Sequence, residues 1–355
     1  MEKLKRSLGS FVVPLLSILL AFIIGGIIMV ALGADPFAAV KYLFQGAFGS
    51  KGNIGTTLTK ATPLMFTSLC ACFAYKCGVF NLGGEGQFLM GSIAAFLTAY
   101  FTGTTGFVGI VLALLAGTLA GGIWGMVPGV LKITRGQNEM IISIMLNYVA
   151  TLFMGVLYTN WIRDASVPQT PAVDDLVKLP RVIPGMRFTW GFVIAVVVGL
   201  LLYYVLFWTS SGFKLRAVGY NMTASRFNGI QVKRCMLASF IVSGAIAGLG
   251  GGAELLGTQF RLINGFGAGY GFDGVAMALI GQLHPIATMV VALFFAVLRV
   301  GSTTMQAATG VPTSVSDIIQ ALVIVFSVAG MALTKLPEFQ AWKDRVFSKR
   351  KAGDK

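Results

Sequence analysis

Long stretches of apolar residues without a single charge recur along this chain, separated by short polar or Gly/Pro-rich breaks. The first, 11–33, runs for 23 residues. A membrane span needs about 20 apolar residues, whereas a cleavable signal core has about 7–15. The stretch therefore predicts a span, although Lys3, Lys5 and Arg6 before it resemble the basic region of a signal peptide. A short second span is predicted at 61–75, near Pro63. No charge occurs from Gly86 to Leu131, and Thr102–Gly106 divides that run into two spans. Further spans follow at 140–159, 189–208 and 235–256. His284 and Pro285 split 274–298 into two short segments, and the last span is 316–334. The segments 34–60 and 160–188 read as loops, the second marked by Pro168, Pro171, Pro180 and Pro184.

Composition sharpens this picture. Hydrophobic residues make up 56% of 355, before counting 45 glycines, and charged residues only 11%. Soluble domains carry about a quarter charged residues, and a soluble globule could not hide this much apolar surface. A soluble enzyme, a disordered chain and a small secreted domain are excluded. The net charge of +14 would suggest nucleic acid in a soluble protein, but cytoplasmic loops of membrane proteins concentrate Lys and Arg. With the N-terminus inside and ten spans, 18 of the 27 basic residues fall inside and eight outside, with Arg299 at a span end. Nine spans would put the basic tail outside, which the rule disfavours. The charge needs no nucleic-acid partner. The four cysteines form no C-x-x-C pair, so they read as packing residues, and His284 alone cannot build a histidine-rich metal site. No metal is expected.

The expected fold class is all-α: a polytopic integral membrane protein with about ten transmembrane helices. The block Phe80–Gly91 and the block Phe272–Gly281 each run from Phe through a polar residue into Gly-containing apolar sequence, beside short or interrupted spans. Two pseudo-repeated halves containing short or broken helices are the expectation. Such segments point to binding sites in many transporters.

Several motifs place polar groups among apolar ones. Gly78–Gln87 sets Asn81, Glu85 and Gln87 among glycines. One reading is a broken segment lining a permeation path; the other is a solvated turn at the interface. Asn138 and Glu139 suit a helix N-terminus, and Asn147 lies deeper, on a face with Ser143 and Ile144. Glu254 and Asp273 read as interfacial or ambiguous. Gly269–Gly274 matches G-x-G-x-x-G without a preceding strand, and no P-loop or G-x-S-x-G elbow occurs. In the connection after 208, Leu215, Val218 and Met222 share a helical face that Arg226 ends, with Arg216 and Phe227 off it. That connection reads equally as a docking helix or as a surface helix on lipid.

The blocks GVFNLGGEGQFLMG (78–91), NEMIISIMLNYVA (138–150), LRAVGYNMTASRFNGI (215–230) and GYGFDGVAMALIGQLHP (269–285) resemble a bacterial ABC importer permease of the branched-chain amino acid, simple sugar and nucleoside branch, most like the nucleoside-type subunit. Gln282 and Met222 depart from the family pattern, which has a basic residue and Pro there. The resemblance implies a single permease domain over 1–355, a cytoplasmic coupling segment at 213–230 and a basic cytoplasmic tail at 335–355. It implies a multi-pass protein of the bacterial plasma membrane with both termini cytoplasmic. The implied partners are a cytoplasmic ABC ATPase, an extracytoplasmic solute-binding lipoprotein, a second permease chain and membrane lipid. The permease itself would be no enzyme and bind no cofactor, ATP and magnesium acting on the ATPase. Implied solute-path residues are Asn81, Glu85, Gln87, Phe88, Asn138, Asn147, Phe272 and Asp273, with amides and carboxyls for ribose and base edges, and Phe88 and Phe272 for stacking. Leu215, Arg216, Val218, Met222, Arg226 and Phe227 would couple to the ATPase. The competing readings are a simple-sugar or riboflavin-like importer, an ion-driven secondary transporter and an intramembrane enzyme.

Overall fold

A computed structural model describes residues 2–164, 167–267 and 269–335. Among them the chain is all-helical, with two isolated β-bridges, Gln169–Ile263 and Arg181–Thr189, in place of strands. The helices are α1 (Glu2–Ala31), α2 (Pro36–Phe48), α3 (Lys51–Lys76), α4 (Gly84–Phe101), α5 (Gly106–Arg135), α6 (Glu139–Val156) and α7 (Trp190–Trp208). They continue with α8 (Ser210–Tyr220), α9 (Met222–Phe227), α10 (Val232–Glu254), α11 (Tyr270–Ile280), α12 (Pro285–Thr309) and α13 (Thr313–Lys335). Single π-helical turns, Leu157–Trp161 and Leu255–Gln259, extend α6 and α10. The tail 336–355 lies outside the described residues.

Helices occupy every stretch read as a span. Among the described residues six of them are long and apolar enough to cross a membrane, or seven if α1 and α2, bent by 117° at their break, count as one span. One expectation is corrected here. Residues 34–60 are not a loop but hold α2 and the first turns of α3. Lys41, Lys51 and Lys60 hid the helical pattern from a reading based on charge-free runs. The break itself is conventional chemistry: Gly33 turns with φ +77°, the Asp35 carboxylate accepts from the Phe37 amide at 2.9 Å, and Pro36 takes the first helical position.

The chain divides into two compact units, one of residues 1–46 with 301–355, the other of residues 47–300. In the first, α1 packs on α13, where Gly25 receives the Ile319 side chain, and Gly301 lies against the Leu43 carbonyl. In the second, α4, α5 and α10 form a close-packed trio, with α3 buried nearly throughout beside it. Its Thr-rich surface makes α3 too polar for a lipid-facing span, but protein covers it.

The trio is held by glycine. A Cβ on Gly248 would lie 2.3 Å from the Gly117 carbonyl oxygen, one on Gly91 2.3 Å from the Gly248 Cα, and one on Gly121 2.4 Å from the Gly244 carbonyl oxygen. In a bilayer no hydrophobic force drives helices together, so backbone-to-backbone approach through small residues supplies the attraction. The Pro-rich connection between α6 and α7 is laced onto the segment after α10. Thr170 exchanges hydrogen bonds with Leu262, and the Val173 and Leu179 amides donate to the Phe260 and Leu256 carbonyls at 2.8 Å.

Gly248→Val in the purified protein is expected to cost about 1–3 kcal/mol or more by overpacking and lower the melting temperature by several degrees. Gly155→Ala, whose added carbon meets nothing within 4 Å, should leave it unchanged or raise it. A maleimide dye that fluoresces as buried Cys70, Cys72 and Cys77 become accessible reads both melts.

Candidate functional site

After α3 the backbone turns through Gly78, with φ +74°, and stays irregular until Gly84. Val79 and Asn81 in this stretch are fully buried. Irregular backbone inside a membrane protein must find its hydrogen bonds in the protein, and Asn81 provides them. Its Oδ1 accepts from the Gly83 amide at 2.9 Å and from Gln87 Nε2 at 3.0 Å. Its Nδ2 donates to Gln87 Oε1 at 3.0 Å and to the Ser243 hydroxyl of α10 at 2.8 Å. Asn147 of α6 completes the latch, accepting from the Gly86 amide at 2.8 Å and donating to the Leu82 carbonyl at 2.9 Å. A Cβ on Gly86 would stand 2.9 Å from Asn147 Oδ1, so only glycine allows this approach.

Just beyond, the start of α4 meets the start of α11. A Cβ on Gly271 would fall 2.4 Å from the Glu85 amide nitrogen. Glu85 and Asp273 each occupy the first turn of their helix, where the positive end of the macrodipole favours a carboxylate. The Gly269 amide donates to Glu85, while Glu85 Oε2 is buried without a hydrogen-bond partner. Asp273 forms an ion pair with Arg299 of α12, whose guanidinium lies 5.8 Å from the Tyr270 ring centroid. Phe88, fully buried, packs against Tyr270 at 5.9 Å and Phe266 at 6.0 Å, whereas Phe272 is 50% exposed. Glu254 is 2% exposed, with Gln259 donating to it at 3.4 Å. Its interfacial reading is corrected: the π-helical turn carries the helix on to Gln259 and leaves Glu254 inside protein.

The structure thus joins Asn81 with Gln87, Asn147 with the same irregular segment, Glu85 with Asp273, and Phe88 with Tyr270. It leaves Asn138 apart, exposed, capping α6 by accepting from the Met140 amide at 2.9 Å. Glu139 beside it pairs with Lys132. Ser243, Tyr270 and Arg299 were missed. Arg299 carried a signal, as a lone charge within a long apolar stretch. Ser243 carried another, following Ser239 by one turn in an apolar helix.

At the same end of α3, where Lys76 precedes the Gly78 turn, α8 packs so closely that a Cβ on Gly219 would lie 2.1 Å from the Lys76 carbonyl oxygen. Leu215 and Val218 are buried. The single stripe through Met222 is corrected. The chain breaks at Asn221, whose side chain caps α9 by accepting from the Ala224 amide at 2.9 Å, and Met222 starts a separate helix. Arg226 is exposed, and Tyr220 and Phe227 are each 88% exposed. Arg216 lies over the Phe207 ring.

Asn147→Leu strands a buried amide and a carbonyl and is expected to cost about 1–3 kcal/mol. Asn138→Ala removes only an exposed cap, at about 1 kcal/mol or less. Thermal melts of the two variants should therefore separate clearly, and equal shifts would deny the latch its role.

The permease component of the branched-chain amino acid transport system is the family whose model matches residues 53–328. The guanosine ABC transporter permease NupP of Bacillus subtilis is 32% identical over 334 residues, covering 92% of this chain and 96% of that protein. The nucleoside ABC transporter permease NupB of Lactococcus lactis is 33% identical over 359 residues, 96% of each. The glucose ABC transporter permease TsgB13 of Haloferax volcanii is 34% identical over 325 residues, 88% of this chain and 86% of that one. No solved structure matches the chain significantly. A glycine-broken, amide-latched segment inside an all-helical bundle of apolar helices, together with this match over most of its length, makes the chain a member of the branched-chain amino acid transport permease family.

Proposed function

We propose that the chain is a permease subunit of an ATP-driven importer that moves a nucleoside inward by alternating access. The observation that carries this reading is its similarity, over more than nine-tenths of its length, to permeases named for guanosine and nucleosides. The convergence of α4 and α11 fits such a solute. Glu85 and Asp273 offer acceptors for ribose hydroxyls and base amines, and the half-exposed Phe272 offers a ring for stacking. Asn81, Gln87 and Asn147 shape that site by fixing the start of α4, and Phe88 backs it. Asn138 lies at the mouth of the same path.

In this reading α8 and α9 face a cytoplasmic ATPase that binds ATP and magnesium, and exposed Phe227, Arg226 and Met222 enter its surface. Leu215, Arg216 and Val218 tie the segment 213–230 back to the permease. The chain crosses the plasma membrane ten times, with α3, α4 and α11 as protein-enclosed or short crossings and both termini in the cytoplasm. The two Gly-led helices, α4 and α11, are then counterparts in two repeated halves. A second permease completes the pathway. NupQ of Bacillus subtilis, also named for guanosine, is 27% identical to this chain over 252 residues, which supports a pair of related chains. A solute-binding lipoprotein delivers the solute outside. Glucose is the second reading, favoured by the similarity to TsgB13.

Proteoliposomes holding the permease pair and its ATPase, supplied with the binding protein, should accumulate labelled guanosine only with ATP. Glu85→Ala and Asp273→Asn should each lower uptake roughly tenfold or more, the worth of one charged hydrogen bond. Phe227→Ala should weaken solute-stimulated ATP hydrolysis while leaving the melting temperature alone. Preference for glucose over guanosine would favour the second reading, and uptake unchanged in both Glu85→Ala and Asn81→Ala would remove the assigned site.

A further inference from the structure

The end of α7 carries four aromatic residues, Tyr203, Tyr204, Phe207 and Trp208, with Tyr204 and Trp208 largely exposed. Aromatic side chains collect where a helix leaves the hydrocarbon for the headgroups. That places this end of α7 at headgroup level. Three basic side chains from three separate segments gather around Phe207. The Arg216 guanidinium of α8 lies 5.0 Å from the ring centroid, and the Lys76 ammonium at the end of α3 lies 5.9 Å from it. The His284 ring, in the break between α11 and α12, packs 5.4 Å from both Phe207 and Tyr203. Two successive left-handed residues, Gln282 and Leu283, hold that break in place.

All three basic groups are half-buried, and among the described residues no carboxylate is paired with any of them. Arg216 Nε is buried and lacks a hydrogen-bond partner. Cation–π contact with Phe207 offsets part of the cost of bringing Lys76 and Arg216 together, at about 0.5–2 kcal/mol each, but it cannot neutralise two like charges. Burial and the Lys76 charge hold the His284 imidazole below its ordinary value. The cluster is therefore a seat of three groups: the Lys76 ammonium, the Arg216 guanidinium with an idle N–H, and the His284 imidazole.

We propose that this cluster binds the phosphate of an anionic phospholipid, with Arg216 and Lys76 as the charged contacts and His284 beside them. A guanidinium matches phosphate geometry, and basic pockets between helices at the membrane surface suit lipid headgroups. A lipid rather than a soluble anion is indicated by position. Tyr204 and Trp208, each the next residue after the cluster's Tyr203 and Phe207 on α7, are exposed and give an acyl chain apolar surface to lie on. Because α8 also carries the segment assigned to ATPase contact, a bound lipid would brace α8 against the ends of α3 and α7.

Native mass spectrometry of the full-length permease in neutral detergent tests this, with phosphatidylglycerol and phosphatidylcholine of matched chains as probes. Wild type should retain one phosphatidylglycerol in preference to phosphatidylcholine. Lys76→Gln and Arg216→Gln should each weaken that retention about fivefold, the worth of one basic residue at a membrane surface. Arg216→Lys, which keeps the charge but loses the guanidinium geometry, should retain more than Arg216→Gln and less than wild type, and Lys214→Gln, on the exposed side of α8, should retain it fully, which separates lost binding from lost folding. Millimolar inorganic phosphate should not displace the lipid. Equal retention of the two lipids, full retention by the Lys76→Gln/Arg216→Gln double variant, or displacement by inorganic phosphate would each overturn the assignment.

Discussion

Backbone amides and carbonyls cannot be left unpaired inside a membrane protein, and the segment between α3 and α4 breaks helical pairing where Val79 and Asn81 are fully buried. Its solution is a set of neutral amides. Asn81 makes four hydrogen bonds to nitrogen and oxygen partners, two of them reciprocal with Gln87, and a fifth to Cys70 Sγ, while Asn147 pairs with the Leu82 carbonyl of that segment and the Gly86 amide of α4. Amides suit this task because each carries both donors and acceptors without a charge to bury. A carboxylate at position 81 would repel Gln87 Oε1 and leave Ser243 without its donor. The position of everything downstream, Glu85 above all, follows from this latch.

The latch works only because its surroundings are nearly devoid of side-chain volume. Gly86 must lie against Asn147, Gly271 against Glu85, and Gly251 against the Phe88 carbonyl. The same economy holds α4, α5 and α10 together through Gly91, Gly121 and Gly248. Interhelical hydrogen bonds in membranes are worth only about 0.6 kcal/mol on average. Close backbone packing over many residues, rather than the latch, therefore supplies most of the cohesion, and the latch supplies register.

Much of this was legible in the sequence. Glycines interleaved with Asn81, Glu85 and Gln87 in an apolar setting had one economical explanation, an irregular segment shielded by protein. The break at Thr102–Gly106 and the split at His284–Pro285 were equally plain, since glycine clusters and proline disrupt helices by known means. What escaped has a common cause. Hydropathy assumes that an apolar helix faces lipid and that a charged stretch faces water. Helix α3, rich in threonine, faces protein, and α2 carries Lys41 within a helix. Glu254 escaped because no pattern announces a π-helical turn. Asn221 did announce a cap, but a stripe drawn at helical spacing through Leu215, Val218 and Met222 ran across it. The pairing of Asp273 with Arg299 joins residues 26 apart on two helices, which spacing alone cannot show.

The placement of α8 bears on how motion of that helix could reach the latch. Its contact with α3 is backbone on backbone, Gly219 against the Lys76 carbonyl, with the Gly78 turn beside it. A contact between long side chains would absorb a displacement of an ångström by changing rotamers. Backbone atoms already at van der Waals distance have no such slack, because packed interiors deform little. From Gly78 only two residues separate the turn from Asn81. A shift of α8 therefore strains a short segment whose far end is fixed by five hydrogen bonds to α4, α6, α10 and its own backbone. Either the latch holds and α4 moves with it, or the latch opens and frees Asn81 and Gln87. Both outcomes change the environment of Glu85, one residue past the first turn's start, and neither requires a continuous path of side chains through the core.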